Sequence, residues 1–371
     1  MASLKKVFID GSAGTTGLRI RERLARRPDL ELVVLPEEVR KDVEARRQAL
    51  NGADVAFLCL PDAAAVEAVA LVENPDTVII DTSTAHRVAD GWEYGFPELA
   101  GQRERIAGAK RIANPGCHAS GFVALVEPLV RAGVVASDEK LCAFSLTGYS
   151  GGGKKMIADY VEKLNVERLK SAEDVSGGEP STFQPFNFST LYLGGRQYAL
   201  GQKHKHLPEM ARVCGLDFAP CFSPIVVPHL SGMEVTVQLF RSQLRPLSGP
   251  NSSPVVSDPS SSPVVSGPSS SSVASGPIPT LDDLKGLYRS YYADNGLVRF
   301  VDDPAAAEGN FLSSAALSGR DDMEISVYGN DERIVLVSRF DNLGKGASGA
   351  AIQNMNIVLG VDEAEGLQFP A

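Results

Sequence analysis

The sequence predicts an α/β protein in two parts: a doubly wound parallel sheet, followed by an α+β domain whose sheet is mostly antiparallel or mixed. Three observations predict this arrangement. Short apolar segments alternate with helix-like segments over the first third of the chain. A glycine-rich turn separates the first apolar segment from the first helix-like one. Beyond residue 117 the apolar segments lie farther apart, as in domains whose strands pair over long distances.

Four strands and three helices are predicted in the first part. The strands cover residues 6–10, 30–35, 55–60 and 77–81, and the helices cover residues 15–27, 37–51 and 63–72. Each strand is short and almost wholly apolar, which is typical of a parallel sheet with both faces covered by helices.

The second part is expected to begin with a helix at residues 119–132, with Pro128 as a kink and Gly133 as its end. Strands are predicted at residues 141–146, 191–193, 234–240 and 334–339, and a last helix at residues 347–359. The long connections between these strands indicate an α+β domain.

Residues 246–279 form a low-complexity segment of serine, proline, glycine and valine that contains a direct repeat, residues 252–257 and 261–266. Such sequence cannot bury enough apolar surface to offset its ordering entropy, so we predict a flexible surface insertion. A docking or modification site is the alternative. A tolerated loop expansion is favoured, because a longer surface loop costs little free energy.

Charge and composition restrict the possible partners. The net charge is −10, from 36 Lys and Arg against 46 Asp and Glu, which argues against binding to nucleic acid. No segment is apolar enough to span a membrane, and the N-terminus runs directly into a strand, so we expect a cytoplasmic protein. The five cysteines include no C-x-x-C pair, which indicates neither a zinc site nor a disulfide framework.

The glycine-rich turn has the spacing G-x-x-G-x-x-G, between the first strand and the first helix. Glycines let backbone N–H groups approach a pyrophosphate, and the helix N-terminus adds partial positive charge. We therefore predict a Rossmann-type dinucleotide site; the alternative is a turn whose glycines serve packing only. The candidate cofactor-binding residues are Gly11, Ser12, Gly14, Thr15, Thr16 and Gly17. Both acidic and basic residues follow the second strand, so spacing alone leaves the choice between NAD and NADP open.

Cys117 is the candidate nucleophile. It follows Asn114-Pro115-Gly116, a turn after a short strand, and it begins an amphipathic helix. A helix N-terminus favours a thiolate, which is the form that attacks an acyl carbon. A buried structural cysteine is the less favoured interpretation, because the turn places the sulfur where ligands bind in open α/β sheets.

His204 and His206 are the candidate proton-transfer groups. In the extended segment Lys203-His204-Lys205-His206 both imidazoles would face one side, among cations that attract an acyl phosphate. His-x-His also occurs in metal sites, but no third ligand has motif spacing, so we predict no metal.

Together these motifs resemble the N-acetyl-gamma-glutamyl-phosphate reductases of arginine biosynthesis, in the shorter of their two bacterial types. The matching segments cover nearly the whole chain in order, and they are residues 8–18, 59–62, 81–87, 94–96, 114–117, 148–154, 204–210 and 341–356. The Ser/Pro-rich segment departs from the family pattern. The resemblance implies reduction of N-acetyl-L-glutamyl 5-phosphate to N-acetyl-L-glutamate 5-semialdehyde and phosphate by NADPH, through a thioester on Cys117.

The resemblance also implies domains and assembly. It implies an NADP-binding domain of residues 1–117 rejoined by the C-terminal helix within residues 345–371, and a substrate and oligomerisation domain of residues 118–344. The fold would be that of the aspartate-semialdehyde and glyceraldehyde-3-phosphate dehydrogenases. A homo-oligomer, dimer or tetramer, is expected.

Further site residues are predicted on this basis. Arg87 would bind the substrate phosphate, with Ser83 beside it, since a guanidinium binds phosphate through two N–H groups. Asn114 would orient the reacting carbonyl, and Gly152 belongs to a glycine-rich loop expected to contact substrate. Asn342 and Gly346 would lie near the nicotinamide side of the cofactor.

Three alternatives remain at this point. The nearest is an aspartate-semialdehyde dehydrogenase-like reductase of another acyl phosphate, which would use the same chemistry. A catalytically inactive cofactor-binding sensor or scaffold is disfavoured by Cys117 and both histidines. A cysteine hydrolase would leave the loop of residues 11–17 unexplained.

Overall fold

The structure is a computed structural model that describes residues 4–174, 190–246, 276–294 and 296–369. Most of the predicted Ser/Pro-rich insertion, residues 247–275, lies outside the described residues. In the described part of the chain, no helix combines the length and the apolar character needed to cross a membrane.

The first sheet has six strands, all paired in parallel, in the order β2-β1-β3-β4-β6-β5. Its elements are β1 (Lys5–Asp10), α1 (Thr15–Leu24), β2 (Leu30–Val33), α2 (Val43–Asn51), β3 (Val55–Leu58), α3 (Asp62–Ala70), β4 (Val78–Asp81), β5 (Glu93–Tyr94), α4 (Gln102–Gly108) and β6 (Arg111–Ala113). The strand order reverses at β1, so a crevice opens at the carboxyl ends of β1 and β3, where ligands bind in such sheets.

The second sheet has seven strands with mixed pairing, in the order β11-β12-β13-β10-β7-β9-β8. Its part of the chain contains α5 (Cys117–Arg131), β7 (Cys142–Gly148), α6 (Gly153–Asp174), α7 (Thr190–Leu193), β8 (Arg196–Gln197), α8 (Leu207–Cys214), β9 (Cys221–Val227), β10 (Met233–Phe240), α9 (Leu281–Tyr291), β11 (Val298–Phe300), α10 (Pro304–Ala307), β12 (Met323–Gly329), β13 (Arg333–Phe340) and α11 (Gly349–Leu359). The predicted fold class, a Rossmann-type domain with a second, mixed sheet, is confirmed.

Helix α5 is the element that joins the two sheets. It is buried on nearly every side, and its Phe122 and Leu125 share one core with Val235 of β10 and Tyr288 of α9. A helix that is apolar all round is stable only inside a core, so the position of its first residue is fixed by packing on both sides. Cys117 is that first residue.

The last helix packs on the first sheet. Ile352 and Met355 of α11 lie in the same core cluster as Val7 of β1 and Ile20 of α1. This packing brings the turn before α11, residues 344–348, to the carboxyl edge of the first sheet, beside the start of α5.

Two predicted elements differ from the structure. The strand predicted at residues 191–193 is wrong, because Thr190–Leu193 is a short helix; three apolar residues are too few to distinguish the two periodicities. The helix predicted at residues 37–51 begins later, at Val43, because the carboxylate of Asp42 accepts a hydrogen bond from the N–H of Ala45 and caps it there.

Candidate active site

One cleft of about 300 Å³ lies where the two sheets meet. The N-terminus of α1, the turn into α5, the end of β7, the segment before α8 and the turn before α11 all border it. The residues predicted for the site that line the cleft are Thr15, Thr16, Arg87, Asn114, Cys117, Gly152, His204, His206, Asn342 and Gly346. Since Arg87 comes from a further segment, after β4, the fold gathers these residues from six distant segments at one place.

The glycine-rich turn meets the cleft through Thr15 and Thr16. Gly11 has a φ of +87°, and a Cβ there would lie 2.3 Å from the carbonyl oxygen of Cys59, while a Cβ on Gly17 would lie 2.5 Å from that of Gly11. Only glycine fits at both positions. No side chain caps α1, since its N-cap is Gly14, so the backbone N–H groups of its first turn remain suited to a phosphate.

Gly116 allows Cys117 and its neighbours to approach one another. A Cβ on Gly116 would lie 2.3 Å from Nη1 of Arg87 and 2.4 Å from Nε2 of His206. On the other side of Cys117, a Cβ on Gly346 would lie 2.9 Å from the Cβ of Cys117. Arg87 and His206 therefore lie against the turn that presents the cysteine.

Burial raises the pKa of the Cys117 thiol to about 11. Arg87, the backbone N–H of His118 and Lys205 lower that pKa, but their combined effect is smaller than the effect of burial. The sequence-based expectation of a resting thiolate is therefore wrong for this arrangement. The thiol carries its proton near neutral pH and needs a base to remove it.

The two predicted histidines lie together and can act as that base. Their ring centres are 4.7 Å apart, and His206 is 4% exposed. Burial, followed by the charge of Arg87, lowers the pKa of His206 well below its usual range, and burial and Lys205 lower the pKa of His204 to about 4. Both imidazoles are therefore neutral at neutral pH, which is the form that accepts a proton.

Hydrogen bonding distinguishes the two imidazoles. Nδ1 of His204 accepts a hydrogen bond from the backbone N–H of His206 at 3.2 Å, so its proton lies on Nε2 and this ring can donate. Nε2 of His206 is the nitrogen that faces Gly116, and its buried Nδ1 has no hydrogen-bond partner among the described residues. This arrangement favours His206 as the base and His204 as a donor to substrate.

Arg87 is held by three acceptors while it lines the cleft. Its guanidinium donates to the carbonyl oxygen of Asn114 at 2.9 Å, to that of Thr82 at 3.0 Å and to Oε2 of Glu209 at 3.2 Å. A guanidinium has five N–H donors, so others remain for an anion.

Glu209 was not among the predicted site residues, yet it connects several of them. It is 1% exposed, and its Oε1 accepts hydrogen bonds from the N–H of Gly116 and from the hydroxyl of Tyr94, both at 2.8 Å. Its position three residues after His206 was the available sequence signal. Burial raises the pKa of this carboxyl, while Arg87 and these hydrogen bonds lower it.

Ser83 is the predicted substrate residue that the fold does not bring to the cleft. Its hydroxyl donates to Oδ2 of Asp81 at 2.7 Å, and its backbone N–H donates to Oδ1 of the same carboxylate at 2.9 Å. Asp81 ends β4, so Ser83 closes a turn behind Thr82, which does line the cleft.

Asn114 and Asn342 line the cleft but use their amides on the protein. Asn114 donates to the carbonyl oxygen of Ala347 at 3.0 Å and thereby fixes the turn before α11. Asn342 accepts from the N–H of Gly232 and donates to Ser150, both at 3.0 Å. These contacts indicate that both residues position loops around the cleft.

A hydrogen-bonded chain that sequence reasoning missed lies behind the histidines. Ser145 Oγ and Nδ1 of His118 are 2.8 Å apart, and Nε2 of His118 and the hydroxyl of Tyr198 are 2.6 Å apart. Tyr198 lines the cleft, and burial raises the pKa of its phenol, so its hydroxyl remains a neutral donor. The three residues come from separate elements, which left no local motif to find.

Among the described residues, no three His, Cys, Asp or Glu side chains are grouped so that they could hold a metal ion.

Known proteins are similar to this chain over different lengths. The family described as semialdehyde dehydrogenase, NAD binding domain, matches residues 6–109. A Nostoc protein named N-acetyl-gamma-glutamyl-phosphate reductase 2 is 39% identical over 368 residues, which are 98% of this chain and 99% of that protein. A Brucella anthropi protein named N-acetyl-gamma-glutamyl-phosphate reductase is 41% identical over 359 residues, 96% of this chain and 98% of that protein.

Solved structures show the same fold at low sequence identity. Aspartate semialdehyde dehydrogenase II of Vibrio cholerae, complexed with ASA, aligns with a TM-score of 0.62 at 15% identity, covering 96% of this chain and 99% of that one. Aspartate semialdehyde dehydrogenase with NADP from Candida albicans aligns with a TM-score of 0.54 at 16% identity and the same coverage. At such identities the likeness concerns the fold alone.

Proposed function

The chain belongs to the family of the N-acetyl-gamma-glutamyl-phosphate reductases, and from this premise we propose that it reduces N-acetyl-L-glutamyl 5-phosphate to N-acetyl-L-glutamate 5-semialdehyde and phosphate. The reductant is NADPH, and the reaction belongs to arginine biosynthesis. One observation carries the proposal: a nucleophilic thiol, a neutral base and the N-terminus of a nucleotide-type helix border the same cleft.

The residues of the first βα turn fit the cofactor. Gly11 and Gly17 leave no room for side chains, and the uncapped first turn of α1 offers N–H groups to a pyrophosphate, joined by the hydroxyls of Thr15 and Thr16. We assign Gly11, Ser12, Gly14, Thr15, Thr16 and Gly17 to this role, with Asn342 and Gly346 on the nicotinamide side. Bound NADPH supplies the hydride that takes the acyl carbon to the aldehyde level.

Cys117 forms the covalent link to the substrate. Its sulfur attacks the acyl carbon, the C–O bond to phosphate breaks, and phosphate leaves with the electron pair of that bond. The proton of the thiol passes to Nε2 of His206, which is neutral and lies against Gly116. The product is a thioester, whose formation and reduction divide one difficult step into two easier ones.

Positive charge in the cleft suits the leaving group. Arg87 and Lys205 both line it, and Glu209 and two backbone carbonyls hold the Arg87 guanidinium in place. A guanidinium fixed in this way can bind phosphate without losing much side-chain entropy. We assign Arg87 to the phosphate, with Ser83 supporting the neighbouring turn.

The remaining steps need hydrogen-bond donors for the oxygen of the reacting carbonyl and a group that returns a proton to the thiolate of Cys117. His204 carries its proton on Nε2 and Tyr198 keeps its phenolic proton, so both can donate to an oxygen that gains charge. As the aldehyde forms and the C–S bond breaks, His206 returns its proton to the sulfur of Cys117. Asn114 and the glycine-rich segment around Gly152 shape the space for the substrate.

The protein acts on a small molecule. We propose in addition that it is a cytoplasmic homo-oligomer, a dimer or tetramer. We also propose that residues 1–117 with 345–371 form the NADP-binding domain and residues 118–344 the substrate domain. The packing of Ile352 and Met355 against the first sheet supports this division.

The reverse reaction tests the proposal most directly. Purified protein, NADP, phosphate and N-acetylglutamate semialdehyde should give phosphate-dependent NADPH formation that is nearly abolished by Cys117→Ser. Cys142→Ser is the matched control, because Cys142 is exposed and far from the cleft. Activity retained in Cys117→Ser would refute the covalent route. Faster turnover of aspartate semialdehyde would instead favour an aspartate-semialdehyde dehydrogenase activity.

A further inference from the structure

Two cysteines that are distant in sequence begin neighbouring strands. Cys142 is the first residue of β7 and Cys221 the first residue of β9. These strands pair in parallel, and Cys142 and Cys221 are direct partners in their register. Both residues are exposed free cysteines. Nothing in the sequence indicated this pairing, since the two lie in no C-x-x-C motif.

The register places the two thiols within reach of each other. Neighbouring strands lie about 4.7–4.9 Å apart, and residues in register on parallel strands point to the same face of the sheet. A disulfide needs Cα atoms about 4.4–6.8 Å apart, and the usual spacing of neighbouring strands falls within that range. The pKa of Cys142 is raised by burial and then by the thiol of Cys221, including a hydrogen bond between the two side chains.

The pair lies on the open face of the second sheet, away from the cleft. In β7 the exposed Cys142 alternates with the buried Ala143, which faces the core around α5. The cleft is at the opposite ends of the same strands, at Gly148 of β7 and Val226 of β9. The two cysteines therefore take part neither in the proposed catalysis at Cys117 nor in the packing of the core.

We propose that Cys142 and Cys221 form a reversible intramolecular disulfide, a modification site that is separate from the catalytic cysteine. The oxidant is a low-molecular-weight disulfide such as oxidised glutathione. An exposed disulfide can be attacked by small thiols in solution, such as reduced glutathione, so this bond can be reduced again.

The exchange balances in two steps. One protein thiolate attacks a sulfur of oxidised glutathione, and one reduced glutathione leaves while a mixed disulfide forms. The second protein thiolate then attacks the protein sulfur of that mixed disulfide, and the second reduced glutathione leaves. Two protein thiols are oxidised, one disulfide molecule is reduced to two thiols, and the two protons of the protein thiols end on the two reduced glutathione molecules, so no proton is released overall.

The bond would close a loop over residues 142–221, which carries Tyr198, His204 and His206 of the cleft. A covalent link restricts the unfolded chain more than the folded one, and the effect grows with the length of the closed loop. Oxidation should therefore raise the melting temperature by several degrees, and a reducing agent should reverse the rise.

The test is equilibration of the full chain with defined ratios of oxidised to reduced glutathione, followed by non-reducing peptide mapping by mass spectrometry. A peptide linked through residues 142 and 221, without retained glutathione, is expected in the wild type. The Cys117→Ser chain is treated in parallel, so that oxidation of the cleft thiol does not compete. The same linked peptide and the same rise in melting temperature are expected there.

Cys142→Ser and Cys221→Ser are the matched variants. In each, the remaining exposed cysteine should retain one glutathione, and the rise in melting temperature should disappear. Wild-type chains that carry glutathione on both cysteines without the linked peptide would overturn the proposal. Cross-links between separate chains through either position would overturn it as well. Neither result depends on which acyl phosphate the cleft reduces.

Discussion

At the scale of the residue, the cleft is defined by a protonated thiol that faces neutral imidazoles. Burial raises the pKa of Cys117 to about 11 and lowers the pKa values of His206 and His204. With this raised pKa, the thiol proposed as the nucleophile keeps its proton near neutral pH, and a protonated thiol is less reactive than a thiolate.

The pH dependence of kcat/KM should show this arrangement. A histidine whose folded pKa is lowered stays unprotonated, and therefore competent as a base, at pH values below its ordinary pKa of about 6.5. We expect the acid limb of the profile to lie below pH 6.5, and His206→Asn to lose on the order of 10²–10⁴-fold in kcat/KM.

His204→Asn is the control for that prediction. It removes a donor rather than the base, so the loss should be smaller and the acid limb should stay in place. An acid limb at or above pH 6.5, or a larger loss for His204→Asn than for His206→Asn, would contradict the assignment of the base.

The predicted site residues Cys117, His204 and His206, which line the cleft, each belong to a local motif. Cys117 after its turn and the His-x-His pair could be identified because short spacing determines their relation. Glu209 and Tyr198 could not be assigned, since their roles arise from contacts made across the fold, such as the hydrogen bond from the N–H of Gly116 to Glu209. Ser83 was assigned from its nearness to Arg87 in sequence, but its own turn engages its hydroxyl.

At the scale of the element, the turn into α5 tolerates only glycine at position 116. Gly116→Ala places a Cβ 2.4 Å from Nε2 of His206 and 2.3 Å from Nη1 of Arg87; both side chains are buried, and Arg87 is also held by hydrogen bonds. We expect at least a tenfold fall in kcat/KM, and a loss of about 1–3 kcal/mol in the free energy of unfolding from overpacking.

Gly108→Ala is the matched control. Gly108 is the last residue of α4, and a Cβ there meets no atom within 4 Å. Its free energy of unfolding should be unchanged or should rise by up to about 1 kcal/mol, because alanine restricts the unfolded chain. Full activity in Gly116→Ala would show that Arg87 and His206 can move aside, and would weaken the proposed geometry.

A buried ion pair fixes the turn before α11. Lys345 donates to Oε1 of Glu98 at 2.6 Å and to Gln353 at 2.5 Å, and the side chains of Lys345 and Glu98 are 0% and 1% exposed. Lys345 stands next to Gly346, which contacts Cys117. The pair therefore connects the packing of α11 to the position of Cys117.

Lys345→Met should lower the free energy of unfolding by about 3–5 kcal/mol, because it leaves the carboxylate of Glu98 buried without its cation. Denaturant titration measures the loss. The double variant Lys345→Met, Glu98→Gln should recover part of it, since the buried charge is then absent. Lys41→Met, at an exposed position, is the control and should change little. A single variant as stable as the wild type would contradict the importance of this pair.

The elements themselves were mostly predictable where hydrophobic periodicity extends over a full strand or helix. The four strands of the first third are present, with ends shifted by a few residues. β9 was not predicted, because Pro224 and Ser223 interrupt its apolar pattern, and β12 was missed as well. The π-helical turn at Gly344–Ser348 depends on the burial of Lys345 among distant residues, which no local pattern indicates.

At the scale of the whole molecule, two sheets with separate cores meet at one cleft. α5 and α11 are packed so that the N-terminal ends of both helical regions border it. The part of the chain that forms the parallel sheet supplies the glycine-rich turn, and the part that forms the mixed sheet supplies Tyr198 and the histidines, between β8 and α8. The order of motifs along the chain predicted that these groups come from different parts of the chain, while the partial burial of Cys117 follows only from the assembled fold.

The low-complexity segment gives a last prediction, because both of its flanks are anchored. Arg241 donates to the carbonyl oxygen of Ile278 at 3.0 Å, so the two flanks are already in contact, and Thr280 and Asp283 cap α9 immediately afterwards. A deletion of residues 250–272 leaves enough chain to join these flanks. Since the entropy of closing a loop depends only weakly on its length, the free energy of unfolding should change by less than about 1 kcal/mol and kcat/KM should stay within twofold of the full chain.

Replacement of the same residues by an equally long Gly/Ser linker is the control for composition. A large loss in the deletion that the linker restores would mean that length matters, and a loss in both would assign a specific role to the Ser/Pro repeat.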